Sequence, residues 1–287
     1  MKKGLVMEGG AMKGMFTCGV IDVMMENHIT FDGAVGVSAG AVFGCNYKSG
    51  QIGRPIRYNK KYCKDPRYAS FRSWFRTGNF YGVDFCYKEL PWKLDLWDRE
   101  AFEENPMEFY AVSSNLVTGQ AEYHLCQKGD EDDIEWLRAS ASVPIVTRIV
   151  EIGDYRLFDG GVTDPIPLRF FEEKGYDRNV VITTKPKEYR DRKTPVLYLA
   201  ERMIYGKYPA FIEAQKRLWK VYNETVEYIE EEEADGKILV IRPPEDLRIG
   251  GKAKDADDLE RVYQIGRREG ERRLEELKEY LKGEQKT

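Results

Sequence analysis

The stretch that decides the fold is Gly33-Ala34-Val35-Gly36-Val37-Ser38-Ala39-Gly40. Residues 33–37 form a brief apolar run that is typical of a buried strand, and residues 39–47 have a helical pattern. Between them, Gly36 to Gly40 form a Gly-x-Ser-x-Gly motif, whose serine occupies a tight strand-to-helix turn that exposes its hydroxyl. The flanking residues are glycines because a Cβ there would collide with neighbouring backbone. The motif makes Ser38 a candidate nucleophile.

A second glycine-rich turn lies upstream, at Glu8-Gly9-Gly10-Ala11-Met12-Lys13-Gly14. It follows the apolar run 4–7, a predicted buried strand, and precedes residues 13–27, whose apolar side chains recur at helical spacing. Consecutive small residues leave backbone N–H groups unobstructed, so that these groups can converge on an anion. The loop is therefore a candidate anion site.

Three functions compete for this loop. A dinucleotide-binding fingerprint needs a glycine where Ala11 stands and an acidic residue at the end of a second strand, which the sequence lacks. A phosphate-binding P-loop needs Gly-Lys followed by Ser or Thr, which is also absent. We predict an oxyanion hole built from the N–H groups of Gly9, Gly10 and Ala11, where each donor typically contributes roughly 2.7–4 kcal/mol.

The order of elements predicts the fold class. Strand, loop, helix, strand, turn and helix alternate at the N-terminus, which favours a layered α/β fold with a mostly parallel sheet. Asp164-Pro165 predicts the start of a helix, since Asp caps free amides and Pro fits the first helical position. Further predicted strands are 107–115, 120–125, 155–158, 180–183 and 238–241, and the predicted charged helices of the last third include 213–233 and 255–282.

Composition excludes several classes of protein. The 287-residue chain has 45 Lys+Arg and 49 Asp+Glu, and this net charge of −4 argues against a nucleic-acid-binding protein. No apolar run approaches the roughly 18 residues of a membrane-spanning helix. Five cysteines without a Cys-x-x-Cys pair make a disulfide scaffold or a zinc knuckle improbable and indicate a reduced, cytoplasmic protein. Glu8 and Lys13 interrupt the N-terminal apolar run, which we interpret as a buried strand and not as a secretion signal.

A histidine is a poor candidate for the base that would serve Ser38. The chain contains only His28 and His124. His28 follows the first predicted helix, whose far end lies roughly 20 Å from the glycine loop at 1.5 Å per residue. No histidine follows Asp159, so the order Ser, acid, His of the α/β-hydrolases cannot be met. A Ser-His-Asp triad is therefore improbable.

Asp159 is the remaining candidate base. It ends a predicted strand in Phe158-Asp159-Gly160-Gly161, and the two glycines allow another backbone to approach closely. A strand-end aspartate before glycines is often only a turn residue that caps its own backbone. Combined with the serine turn, the anion loop and the lack of a suitable histidine, the base becomes the favoured role. Partial burial would raise the pKa of Asp159 and make it a better base at neutral pH.

These motifs resemble those of the patatin-like phospholipases. In order, the loop 9–14, the motif Gly36–Gly40 and Asp159-Gly160-Gly161 look like the family's oxyanion loop, nucleophile motif and Asp-Gly-Gly motif. Segments 113–119 and 139–144 also look like internal segments of the family, and Ala11 departs from its usual third glycine. The resemblance covers about residues 3–184. Residues 241–244 and 262–266 are similar to the C-terminal extension of a bacterial subgroup.

The resemblance implies a three-layer α/β patatin-like fold with a mostly parallel central sheet. The catalytic core would be residues 3–184, and residues 185–287 would form a mainly helical C-terminal extension packed on it. Ser38 would form an acyl-enzyme, Asp159 would act as the base, and no metal or cofactor would take part. The residues that would support the motifs are Gly14, Gly36, Gly40, Gly160 and Gly161.

The implied activity is hydrolysis of acyl esters of a lipid or phospholipid, of the phospholipase A type. An acyltransferase that uses the same two residues and a catalytically idle lipid-binding protein are the alternatives. Lys13 would contact a head group, or be an ordinary lysine of the first helical turn. The aromatic and basic stretch Phe71–Tyr81 would meet a membrane surface, or pack on the core as a cap. The expected location is cytoplasmic, or peripheral to the inner face of the membrane.

Overall fold

One eight-stranded sheet organises the protein, whose computed structural model describes residues 1–251 and 254–283. The strands are β1 (Lys2–Met7), β2 (Gly33–Val37), β3 (Glu108–Asn115), β4 (Ala121–Cys126), β5 (Val150–Ile152), β6 (Tyr155–Asp159), β7 (Tyr176–Ile182) and β8 (Ile238–Ile241). Their order is β5-β6-β3-β2-β1-β7-β8, and β4 pairs with β3. The five neighbouring strands β3, β2, β1, β7 and β8 are parallel to one another, whereas β4, β5 and β6 pair in antiparallel fashion. The predicted α/β class with a mostly parallel sheet is confirmed.

Helices lie on both faces of the sheet. They are α1 (Gly14–Glu26), α2 (Ala39–Lys48), α3 (Arg54–Tyr62), α4 (Phe71–Thr77), α5 (Arg99–Glu104), α6 (Glu131–Ser140), α7 (Leu168–Glu173), α8 (Pro195–Tyr205), α9 (Pro209–Ala234), α10 (Ala256–Arg272) and α11 (Leu274–Lys282). Short 3-10 turns lie at Ala11–Lys13 and Gly160–Val162, and a π-helix spans Phe85–Leu94. Among the described helices, none has both the length and the apolar composition to cross a membrane.

The sheet has a separate apolar core on each face. In β1, Leu5 and Met7 belong to the core shared with α1, α2 and α10, whereas Val6 belongs to the core shared with α7 and α9. Successive side chains of a strand point to opposite faces, so a strand that is buried on both faces reads as a continuous apolar run. This is why residues 4–7 and 33–37 lack a polar alternation. Helices, sheet and helices form three layers.

The sheet brings the sequence motifs to one edge. In the parallel pair β1 and β2, Met7 lies opposite Gly36, so the glycine loop and Ser38 follow neighbouring strands at the same end. Strand β3 is parallel to β2, and β6 returns beside the end of β3 with Asp159 opposite Ser113. The carboxyl end of a parallel sheet is where α/β proteins bind their ligands.

The last third of the chain shares both the sheet and a helical layer with the rest. Strand β8 pairs in parallel with β7 at the edge of the sheet. Helix α10 crosses α1 so closely that a Cβ on Gly266 would overlap the carbonyl oxygen of Phe16, and one on Gly19 would overlap that of Tyr263. The predicted helix over 255–282 is two helices, separated at Arg273. The predicted extension 185–287 runs past the described residues at positions 252–253 and 284–287.

The predicted helix start at Asp164-Pro165 is wrong, because α7 begins at Leu168. The Asp164 carboxylate accepts a hydrogen bond from the Tyr123 hydroxyl at 2.7 Å and one from the Ile166 N–H, so it closes a turn and does not cap a helix. Pro167 also disfavours the helical conformation at Ile166. Tertiary contacts therefore use the aspartate that the local sequence offered as a cap.

We expect Gly266→Ala to destabilise the protein by about 1–3 kcal/mol, because the added Cβ forces α10 away from the backbone of α1. Helix propensity alone predicts the opposite, a gain of about 1 kcal/mol. The measurement is urea unfolding at equilibrium. Arg268→Ala, at an exposed position of the same helix, is the control and should change stability little. A stabilised Gly266→Ala variant would contradict the close crossing.

Candidate active site

Ser38 lies on a strained turn between β2 and α2. Its φ of 55° and ψ of −120° are unfavourable for a residue with a side chain. A Cβ on Gly36 would overlap the carbonyl oxygen of Gly40, and a Cβ on Gly40 would overlap that of Met7. Both positions must therefore be glycine. The N–H of Ser38 donates a hydrogen bond of 2.9 Å to the side-chain oxygen of Ser140, which fixes the turn from the end of α6.

Asp159 lies at the end of β6, and its carboxylate accepts hydrogen bonds from the Ser38 hydroxyl and from the Gly161 N–H, the latter at 2.8 Å. The Asp159 backbone is fixed on both sides, because its N–H donates to the Ser142 carbonyl at 2.8 Å and its carbonyl accepts from the Ser114 hydroxyl at 2.7 Å. The structure thus brings together the two residues that lie 121 positions apart in the sequence.

Burial raises the pKa of Asp159 to about 6, although the hydrogen bonds from Ser38 and Gly161 act in the opposite direction. Only 7% of the residue is exposed. A carboxyl with this pKa is mostly ionised at neutral pH and is still a far stronger base than an exposed aspartate. The environment therefore suits proton transfer with a neighbouring alcohol.

The glycine loop lies directly against Ser38. A Cβ on Gly9 would come within 2.9 Å of the Ser38 Cβ. Gly10 has a φ of 145° and Ala11 a φ of 50°, so the loop uses left-handed conformations at two successive residues. Within residues 1–251 and 254–283, the Gly9 and Gly10 N–H groups have no hydrogen-bond acceptor. Unpaired donors beside an alcohol are what an oxyanion hole requires.

Glu8 fixes the start of this loop, a role that was not predicted from the sequence. Its carboxylate accepts hydrogen bonds from the Thr184 N–H at 2.6 Å and from the Tyr222 hydroxyl at 3.0 Å, and it pairs with Lys185 at 3.3 Å. The Thr184 hydroxyl donates to the Gly9 carbonyl at 2.6 Å. Glu8 is 2% exposed. The sequence did contain one signal. Glu8 is a charged residue that directly follows an apolar run typical of a buried strand, and charged residues are almost never fully buried unless they are paired.

Lys13 is already paired. Its ammonium group lies 3.1 Å from the Asp246 carboxylate. The segment around Asp246 also reaches the glycine loop, since a Cβ on Gly251 would lie 3.3 Å from the Ala11 Cβ, and the Tyr81 hydroxyl donates to the Gly251 carbonyl at 2.6 Å. The predicted contact of Lys13 with a head group stays a prediction, and it requires that this ion pair open or be shared.

Neither histidine is a sequence neighbour of Ser38, and among the described residues neither forms a hydrogen bond with it. His124 bonds to Asp133 at 3.1 Å and stacks on Trp136, with ring centroids 4.4 Å apart. His124, Cys126 and Asp133 are close enough to offer three metal ligands, with the ligand atoms within 4.8 Å of one another. However, the second oxygen of Asp133 accepts two backbone N–H groups, and burial raises the pKa of the Cys126 thiol, which disfavours the thiolate. The cluster fixes the loop before α6.

Comparison with known families agrees with the motifs. The family model described as patatin-like phospholipase matches residues 5–171, which is more than half of the chain. The chain therefore belongs to the patatin-like phospholipase family, as the sequence analysis predicted. A second model, described as a domain of unknown function (DUF6363), matches residues 208–282, which include α9 and α10.

Individual relatives are distant. The uncharacterized protein YjjU of Escherichia coli K12 is 26% identical over 275 residues, which cover 92% of this chain and 74% of YjjU. The uncharacterized NTE family protein Rv1063c of Mycobacterium tuberculosis H37Rv is 26% identical, with 57% of this chain and 44% of the relative covered. Lysophospholipase nte1 of Emericella nidulans is 24% identical, and the chain spans 18% of its length. The crystal structure of VipD from Legionella pneumophila has a TM-score of 0.47 and 11% identity, covering 96% of this chain and 67% of VipD.

The raised pKa of Asp159 predicts a pH-dependent effect on stability. The folded-state pKa of about 6 exceeds the ordinary value of 3.8, so stability falls as the pH rises between these values and the carboxyl loses its proton. The neutral variant Asp159→Asn should therefore match the wild type near pH 4 and exceed its unfolding free energy by up to about 3 kcal/mol near pH 8.

The measurement is urea unfolding of both proteins across this pH range. The control is Asp154→Asn, which changes an exposed aspartate in the turn before β6. A difference between wild type and Asp159→Asn that stays constant with pH would show that burial does not hold the Asp159 pKa up.

Proposed function

We propose that the protein is a serine hydrolase of lipid acyl esters in which Ser38 is the nucleophile and Asp159 is the base. The hydrogen bond from the Ser38 hydroxyl to the buried Asp159 carboxylate carries this proposal. Membership of the patatin-like phospholipase family and the similarity to proteins named lysophospholipase support a lipid ester as the substrate. We propose two substrate classes. One is a single-chain lysophospholipid, and the other is a phospholipid that is cleaved at an acyl ester, as in a phospholipase A reaction.

The first half of the reaction is acylation. As the Ser38 oxygen bonds to the ester carbonyl carbon, its proton passes to Asp159 and the carbonyl oxygen becomes an oxyanion. When the tetrahedral intermediate collapses, the bond to the alcohol breaks and Asp159 returns the proton to the leaving oxygen. The product is an acyl ester of Ser38 and a free alcohol. In the second half, Asp159 takes a proton from water, which attacks the acyl-enzyme and releases the fatty acid and the Ser38 hydroxyl.

The N–H groups of Gly9, Gly10 and Ala11 would stabilise the oxyanion. Their position against Ser38 and the unpaired Gly9 and Gly10 donors support this role. The N-terminus of α2 begins directly after Ser38 and adds a positive dipole end on the same side. Gly14 keeps α1 close to α2, since a Cβ there would lie 2.8 Å from the Ala39 Cβ. Neither this step nor proton transfer to Asp159 calls for a metal ion.

The proposed location is the inner face of a membrane, with contact through the stretch Phe71–Tyr81. Phe75 of α4 is 78% exposed, and Arg72 and Arg76 lie on the same helix without an acidic residue. Other aromatic groups of the stretch are in the core, for example Phe80, which is 2% exposed. The burial of Phe80 supports the cap, and the exposure of Phe75 supports the surface contact, which the sequence left as alternatives. The described cysteines are all free, in keeping with a reducing compartment.

The proposed pair of residues is tested by Ser38→Ala and Asp159→Asn. We expect each variant to fold and to lose turnover of a p-nitrophenyl ester by at least about a thousandfold, as is typical when a nucleophile or its base is removed. A chelator should leave the wild-type rate unchanged. Labelling by a fluorophosphonate should fail in Ser38→Ala.

The matched control is Asp22→Asn. Asp22 is also buried and burial also raises its pKa to about 6, but it bonds to Tyr263 and Gly53 on the side of α1 that faces α10. This variant should keep its activity. Wild-type turnover in Ser38→Ala or in Asp159→Asn would refute the mechanism. If Asp22→Asn lost as much turnover as Asp159→Asn, the loss would come from removing a buried carboxylate and not from the position of Asp159 beside Ser38.

We expect Tyr222 to act as a positioning residue through Glu8. Tyr222→Phe removes the hydroxyl that donates to Glu8 and should lower kcat about tenfold with little change in KM, since a hydrogen bond to a charged group contributes about 1.5 kcal/mol. The control is Tyr189→Phe, because Tyr189 packs edge-on against Tyr222 but bonds to Asp191 and not to Glu8. Unchanged kcat in Tyr222→Phe would remove this role, and a matching loss in Tyr189→Phe would assign it to packing.

A further inference from the structure

Helix α8 exposes an apolar face that the sequence analysis did not single out. Five of its eleven residues are large, apolar and exposed to solvent. They are Val196 (84% exposed), Leu197 (47%), Leu199 (57%), Met203 (79%) and Ile204 (56%). Within the described chain, no other helix has more than two exposed large apolar side chains. An exposed apolar patch of this kind usually marks an interaction site.

The opposite face of α8 fixes the helix to the protein. Glu201 and Tyr205 are buried there, and Tyr198 is half-buried, a spacing of three and four residues that defines one side of a helix. The Tyr205 hydroxyl accepts the N–H of Ile145 at 3.0 Å, and Gln215 of α9 donates to Glu201 at 3.0 Å. The apolar face therefore points outward because the other face is held, and α8 is a firmly attached helix.

The surroundings of α8 are basic, although the chain as a whole has a net charge of −4. Between residues 192 and 212 the basic residues are Arg192, Lys193, Arg202 and Lys207. Glu201 is the one acidic residue in this range, which Asp191 and Glu213 flank, and it is 4% exposed and bonded to Gln215. An apolar face with basic residues and no exposed acid is the pattern of a helix that lies in the surface of an anionic bilayer.

This face is joined to the active site by one short segment. Ile145 donates its N–H to Tyr205 of α8 and accepts at its carbonyl from the Trp74 indole of α4, at 2.9 Å. The same segment begins with Ser140, which holds the Ser38 N–H, and Ser142, which holds the Asp159 N–H. Helices α4 and α8 therefore bond to opposite sides of the same residue, just after the residues that fix Ser38 and Asp159.

We propose that the exposed face of α8 docks on the surface of an anionic lipid bilayer and, together with Phe75 of α4, turns the Ser38 side of the protein toward the lipid. This inference rests on the proposed function for its direction, since a substrate held in a bilayer must reach Ser38 from that side. The apolar side chains insert between the lipids, and Arg202 and Lys207 contact the anionic head groups. The charge pattern favours a bilayer over an apolar protein partner.

The test measures how much protein sediments with vesicles of phosphatidylcholine, with and without phosphatidylglycerol. All proteins carry Ser38→Ala, so that the lipid is not consumed. The test variant adds Leu199→Ser and Met203→Ser, and the control adds Leu96→Ser and Val117→Ser, which change side chains of similar exposure outside α8. A third variant adds Arg202→Ser and Lys207→Ser. Because all these side chains are exposed, thermal unfolding should be nearly the same in each protein.

We expect the parent protein and the control to bind vesicles that contain phosphatidylglycerol, less strongly at high salt. The affinity of the Leu199→Ser/Met203→Ser variant for these vesicles should fall by about tenfold or more, since insertion depends on apolar area. The Arg202→Ser/Lys207→Ser variant should lose the preference for phosphatidylglycerol. Unchanged binding in the Leu199→Ser/Met203→Ser variant, or no binding by the parent protein, would overturn the proposal.

Two further measurements separate this proposal from its rivals. If size-exclusion chromatography shows a dimer that Leu199→Ser/Met203→Ser converts to a monomer while vesicle binding is absent, the face binds a second copy and the bilayer proposal is wrong. Turnover of a soluble p-nitrophenyl ester, measured with Ser38 intact, should be equal in all three variants. If the Leu199→Ser/Met203→Ser variant loses vesicle binding and retains turnover, the docking surface is supported. If the protein with an unchanged α8 binds vesicles but has no turnover, the docking surface is still supported and the proposed function is refuted.

Discussion

The hydrogen bond between the Ser38 hydroxyl and the Asp159 carboxylate is the interaction on which the site depends. It exists because β6 returns antiparallel to the end of β3, which places Asp159 beside a turn that follows a parallel strand. Burial of the carboxylate is unfavourable in itself, and the protein tolerates it by giving Asp159 the Gly161 N–H as a second donor. The same burial raises the pKa to about 6, so the cost to stability and the basicity of Asp159 have one physical origin.

The C-terminal third stabilises the glycine loop from outside the segment that the family model matches. Tyr222 of α9 donates to Glu8, Asp246 pairs with Lys13, and Gly251 lies against Ala11. These contacts hold a loop whose backbone has a positive φ at Gly10, where glycine accepts it, and at Ala11, where the Cβ makes it unfavourable. The residues beyond the matched segment 5–171 are therefore part of what shapes the loop.

How far the sequence predicts this structure follows from the range of the interactions. The strands 4–7 and 33–37 and the turn at Ser38 are local patterns, and they are where the sequence places them. Asp164 failed as a predicted helix cap because Tyr123, which is distant in the sequence, binds its carboxylate. The roles of Glu8 and Ser140 could not be read for the same reason, since their partners come from the segment after β7, from α9 and from the turn before α2. Asp159 was found only by combining motifs that local patterns leave separate.

Access to the site connects the buried pair to the surface. Ser38 is 9% exposed and Asp159 is 7% exposed, so the proposed acyl ester substrate would have to leave its lipid environment to reach them. The segment from Ser140 to Ile145 both holds the two residues and carries α4 and α8. If α4 and α8 dock on a bilayer as proposed, the contact is made by helices that bond to the segment positioning the Ser38 and Asp159 backbones. Under the proposed function, lipid that covers the opening would keep water away from Asp159 and preserve its raised pKa, so the apolar face outside and the carboxylate inside would serve the same dielectric requirement.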